Sequence, residues 1–85
     1  MSIVSYEKIL KALANKKRLQ IIEYLNENEP KPVFSIAKAI KLSIKSTSKH
    51  LLILKNTDVL ESEYMKHQNH YRLKRPLSII VKTIM

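Results

Sequence analysis

The stretch that most constrains this chain is Leu42 to Leu73, LSIKSTSKHLLILKNTDVLESEYMKHQNHYRL, in which a helical repeat gives way without a linker to short alternating segments. Read at helical spacing from Ser43, Thr47, Leu51 and Leu54 recur at i, i+4 and i+7 and define one buried face. Lys45, Ser48, Lys49 and Leu52 recur at i, i+3, i+4 and i+7 on another side, where two ammonium groups and a hydroxyl are presented together. Ser43 suits an N-cap, since its hydroxyl can accept from a first-turn N–H that has no intrahelical partner, so the helix is expected to start near Ile44. It is expected to stop before Asp58, because Asn56, Thr57 and Asp58 are poor interior helix formers and Asn or Asp accepts the left-handed conformation that ends a helix. Strands are predicted over Val59–Tyr64 and His70–Leu73. A helix with a donor face followed at once by a β-hairpin predicts a mainly α domain with a small β-hairpin wing, a winged helix-turn-helix.

The segments before it supply the remaining helices. Ile3, Tyr6, Leu10 and Leu13 suggest an amphipathic first helix capped near Ser2 or Ser5. Asn15 reads as the N-cap of a second helix with Leu19, Ile22 and Leu25 as core residues, ended by Asn26, Asn28 and Pro30. Pro32 fits the first turn of a short third helix whose apolar side is Val33, Ile36, Ala37 and Ile40, with Leu42 and Ser43 as the turn that follows. Pro76 opens a last helix carrying Leu77, Ile80, Val81 and Ile84.

With 85 residues, 45% of them hydrophobic, the chain is read as a single domain, 1–85, with one core and little stability to spare. Sixteen Lys plus Arg oppose seven Asp plus Glu, a formal charge of +9 that favours a polyanionic partner. The distribution is more informative than the total. No acid lies from Pro30 to Thr57, where Lys31, Lys38, Lys41, Lys45, Lys49 and Lys55 fall, and none lies from Tyr64 to Met85. The competing reading is a lysine excess that only solubilises. Lysines scattered at random would not leave two such long runs free of acid.

At this point the residues carry a family resemblance. ILKALANKKRLQIIEYL followed by IAKAIKLSIKSTSKHLLILKNTDVLESEYMKHQNHYRL resembles the ArsR family of winged-helix transcriptional repressors, over nearly the whole chain. LSIKSTSKHLLIL resembles that family's recognition-helix pattern, and Tyr71-Arg72-Leu73 its second wing strand. The resemblance places base and phosphate contacts on Ile44, Lys45, Ser48 and Lys49, the last three of which the helical stripe selects independently. Lysine can donate to guanine or phosphate, and Ser48 can donate or accept. Ile44 departs from the polar residue usual there, which points to contact with a thymine methyl. Leu52 replaces a usual basic residue, and packing is the favoured reading over a DNA contact. The resemblance also implies a homodimer built by the terminal helices, about 3–14 and 76–85.

The chain has no glycine. The wing tip must therefore turn on Lys66, His67, Gln68 and Asn69, of which Asn69 tolerates positive φ best. Lys66 and His67 are candidate DNA contacts, with a solvated tip as the competing reading. Asp58 replaces another usual glycine, at a position its left-handed tolerance makes acceptable. Lys16, Lys17 and Arg18 crowd a helix N-terminus against the dipole. Arg18 is read as structural, pairing with an internal carboxylate or carbonyl, and Lys16 and Lys17 as candidate backbone contacts.

No metal or other cofactor is expected. There is no cysteine, His67 and His70 would fall on opposite faces of a strand, and His50 reads as a packing or phosphate residue. No Gly-rich loop or carboxylate pair near a histidine is present, so an enzyme is not expected. MSIVSYEKIL is no signal peptide and no apolar run approaches the ~20 residues of a membrane span, so a cytoplasmic protein is expected. The reading is a sequence-specific regulator, a repressor that binds double-stranded operator DNA as a homodimer. The alternatives are a protein-interaction module, an adaptor or anti-repressor using the apolar last helix, and attachment of that basic segment to a membrane surface.

Overall fold

A computed structural model describes residues 3–74. In order these form α1 (Ile3–Leu13), α2 (Lys16–Asn28), β1 (Lys31–Pro32), α3 (Val33–Ile40), α4 (Ile44–Asn56), β2 (Leu60–Met65) and β3 (Gln68–Leu73). The helix expected at 76–85 lies outside the described residues.

Two helix starts, those of α2 and α4, follow the expected caps; of the caps expected for α1, Ser2 lies outside the described residues and Ser5 falls inside the helix. Asn15 Oδ1 accepts from the Arg18 N–H at 3.1 Å and opens α2, and Ser43 Oγ accepts from the Ser46 N–H at 3.0 Å and opens α4. Pro32 differs from expectation: it stands one residue before α3 in extended backbone and pairs with His70 in β1. That two-residue strand was not foreseen, because a Lys-Pro pair carries no alternation to read.

Helices α3 and α4 end in the same way. Lys41 (φ 57°) and Asp58 (φ 61°) take the left-handed conformation just past each helix. The next residue then donates back five positions, Leu42 to the Ala37 carbonyl at 3.0 Å and Val59 to the Leu54 carbonyl at 2.9 Å. Asp58 fits the expectation, whereas the turn after α3 hinges on Lys41 rather than on Leu42 and Ser43.

The sheet is antiparallel in the order β1-β3-β2, so the last strand lies between the other two. Met65 pairs with Gln68, leaving Lys66 and His67 as a two-residue turn, both at positive φ (51° and 66°). Asn69, the expected turn residue, is instead paired with Tyr64 inside the hairpin. The hairpin register, set by side chains below the turn, overrides the local preference of Asn for left-handed backbone. Glu29 Oε2 accepts from the Leu73 N–H at 2.7 Å, serving the strand where β1 is too short to reach.

The core joins Ile9 and Ala12 of α1, Ile21, Ile22 and Leu25 of α2, Ile36 and Ile40 of α3, Leu51 and Leu54 of α4, and Val59, Leu60 and Leu73 from the wing base. Leu19, expected in the core, is exposed and Ile21 takes its place. Leu19 and Ile21 flank the Ile22 and Leu25 stripe on opposite sides, so spacing alone does not choose between them. Among the described side chains of α1 the buried ones are Ile9 and Ala12, while Tyr6 and Leu10 face outward.

Candidate nucleic-acid interface

The exposed face of α4 follows from its buried one. Thr47, Leu51 and Leu54 are buried, which turns Lys45, Ser48, Lys49 and Leu52 to solvent, while Ile44, in line with Leu51, is exposed as the first residue of the helix. Lys45, Ser48 and Lys49 are thus brought onto one exposed surface, with Ile44 at its N-terminal edge. Leu52 corrects the packing expectation: it is 58% exposed. The arc opposite Thr47, Leu51 and Leu54 has no core element to pack on, so a large apolar side chain there stays in water.

Neither α3 nor α4 contains an acidic residue, and Lys38, Lys41 and Lys55 extend the exposed positive surface. Among the described residues the ion pairs are Lys11–Glu7, Arg72–Glu63 and Lys74–Asp58, none of which involves a lysine of α3 or α4. Lys38 and Lys41 were not singled out from the sequence, although the acid-free run that contains them was the available signal.

The cluster at the start of α2 divides. Lys16 is exposed. Lys17 Nζ donates to the Ile40 carbonyl at 2.7 Å, placing a cation at the C-terminal end of α3 where the dipole favours it. Arg18 Nε donates to the Ala12 carbonyl at 2.6 Å, the structural role expected of it. Its Nη1 lies 3.5 Å from His50 Nδ1 on α4, a contact that links positions too far apart in sequence to be paired by reading. Burial, and then the Arg18 charge, hold the His50 pKa below the ordinary value of 6.5.

The wing differs in character from α4. Lys66 and His67 are exposed at its tip, but Glu61 and Glu63 lie along β2 and Glu63 accepts from Arg72 Nη2. His70 is buried with its Nδ1 unpartnered among the described residues, while His50 belongs to α4 and His67 to the tip. The three imidazoles therefore do not converge, and the described residues hold no group of three or more metal-ligating side chains. Burial pushes the Tyr71 pKa up, so its hydroxyl stays a neutral donor in the half-buried wing base.

A three-helix unit ending in an exposed basic helix and a hairpin defines a winged helix-turn-helix. The family model of the bacterial regulatory protein arsR family matches residues 15–62, more than half of the chain. The chain belongs to this family and has its winged-helix fold; family and fold are those of a DNA-binding transcriptional regulator, not of an enzyme. It is 33% identical over 63 residues to an uncharacterized HTH-type transcriptional regulator of Methanocaldococcus jannaschii, a match covering 74% of this chain and 65% of that relative's length. Among solved structures it is similar to a homodimeric winged helix-turn-helix DNA-binding domain from Mycobacterium bovis, with a TM-score of 0.91 and 25% identity over 96% of this chain and 76% of that one. It is also similar to the transcriptional repressor PagR of Bacillus anthracis, with a TM-score of 0.87 and 26% identity over 100% of this chain and 98% of that one. Among the described residues no helix is long and apolar enough to cross a membrane.

Proposed function

We propose that this chain acts in the cytoplasm as a repressor that occupies double-stranded operator DNA as a homodimer. The observation that carries the reading is the exposed Lys45, Ser48 and Lys49 surface on an acid-free α4, held at fixed pitch by its buried Thr47, Leu51 and Leu54 side. Each α4 enters a major groove, where Ser48 meets a base edge, Ile44 an apolar one, and the lysines meet guanine or phosphate. Lys16, Lys66 and His67 lie at positions from which flanking phosphates are reached, and Lys17 does so only by sharing its ammonium with Ile40. The dimer is supported by the exposed Tyr6 and Leu10 face of α1 and by the homodimeric Mycobacterium bovis domain, and repression by the likeness to PagR.

The test is Lys45→Ala with Lys49→Ala. Both positions are exposed and alanine favours helix, so the fold is retained. With two phosphate contacts removed per protomer, the slope of log affinity against log salt on a single half-site flattens by about 1.8 units. Unchanged duplex affinity and slope would remove α4 from the interface.

A further inference from the structure

Three large apolar side chains of α4 are exposed, Ile44 (55%), Leu52 (58%) and Ile53 (41%), and the first two flank Ser48 among the lysines. A lone exposed leucine on a protein surface needs no explanation. Position makes these two different. Ser48 lies between them both in sequence and around the helix, Leu52 faces away from the buried Thr47, Leu51 and Leu54, Ile44 stands exposed as the first residue of the helix, and Lys45 and Lys49 share this surface. An apolar pair in a cationic, acid-free setting is complementary to a polyanion that carries apolar groups below its charged rim. The major groove of DNA answers that description wherever thymine presents its C5-methyl group beneath the phosphates. An acidic protein surface would satisfy the charge, but lysines amid the apolar groups, as Lys45 and Lys49 are here, are the residues that protein–protein interfaces are depleted in.

Resting on the reading of α4 as the DNA-facing helix, we infer that Ile44 and Leu52 are specificity determinants that read thymine methyl groups at two separated positions in each half-site. The spacing follows from helix geometry. Eight residues advance about 12 Å along the axis and turn roughly 80° beyond two full turns, so both side chains stay on one exposed arc. Twelve ångströms corresponds to roughly three or four base-pair steps at about 3.4 Å each. Ser48 falls between the two and serves a polar base edge there. The same arrangement disfavours RNA, whose uracil lacks the methyl and whose deep, narrow major groove does not admit side chains.

The test starts from a duplex selected out of random sequence by the wild-type protein. Each thymine of the half-site is then replaced singly by deoxyuridine, which deletes the methyl and keeps every hydrogen-bonding group. Two sensitive positions three or four base pairs apart are expected, each losing about fourfold in affinity, the value of one buried methyl. Leu52→Ala abolishes the loss at one position and Ile44→Ala at the other, with thermal unfolding unchanged because both sites are exposed. Leu52→Lys removes the same sensitivity and steepens the salt slope by about 0.9 unit. Duplex binding with its salt slope intact but with no effect of uracil at any position overturns this inference alone. Failure to bind duplex at any salt overturns the reading of α4 itself, and this inference with it.

Discussion

One guanidinium, that of Arg18, holds three helices together, donating to the Ala12 carbonyl at the end of α1 and facing His50 Nδ1 on α4 from the first turn of α2. Arginine has no acceptor, so Nδ1 takes the hydrogen bond and the ring is neutral in the folded protein. With the His50 pKa held down by burial and by Arg18, the unfolded chain takes up the proton first as pH falls. The contribution to stability is complete above about 6.5 and is lost as pH drops through the folded value. Urea titrations at pH 7 and pH 5 should show a larger fall in midpoint for the wild type than for His50→Gln; equal falls would mean the contact carries no such linkage. Residues of this kind were half legible in the sequence. The structural role of Arg18 could be assigned because three cations at a helix N-terminus demand a partner, but its partner on α4 depends on packing between elements 32 positions apart. Leu52 and Leu19 were misjudged for a related reason: apolar character predicts burial only where a neighbour exists to bury against.

The wing turn shows an element satisfying its register at the expense of local comfort. Lys66 and His67 both hold positive φ, where a Cβ costs roughly 1–2 kcal/mol per residue. The pairing of Met65 with Gln68 fixes this two-residue geometry, for which Asn-Gly is the favoured dipeptide. Lys66→Asn with His67→Gly is therefore expected to raise the unfolding free energy by about 1–2 kcal/mol in denaturant titrations, with an unchanged m value. A fall in stability would mean that the tip side chains make contacts which the strain sustains. The hairpin, both strand segments and every helix among the described residues could be anticipated, because periodicity and caps are written locally. The choice of turn residues could not, since asparagine's preference is local whereas register is set by Leu60 and Leu73 at the far end of the hairpin. β1 was invisible for the same reason, being strand only because β3 lies beside it.

For the molecule as a whole, assembly decides whether one or two helices reach DNA. Tyr6 and Leu10 are 52% and 65% exposed on α1, whose inner side is already occupied by Ile9 and Ala12. Leu10→Glu should leave the circular dichroism spectrum intact and shift sedimentation from dimer to monomer, with affinity for a two-half-site duplex falling to that of one half-site. A dimer that survives the change would place the interface elsewhere. The order β1-β3-β2 has a further consequence, for folding. Pairing of Lys31 with Tyr71 closes a sequence loop that contains both α3 and α4, and the Glu29 to Leu73 hydrogen bond fastens the same junction. Closing a loop of this length costs entropy that only the packed helices inside it can repay, so wing and reading helix gain little by forming separately. They should open as one cooperative unit: in native-state hydrogen exchange, the β3 amides and those in the middle of α4 are expected to exchange at a common free energy, while the amides at the hairpin tip exchange by local fraying.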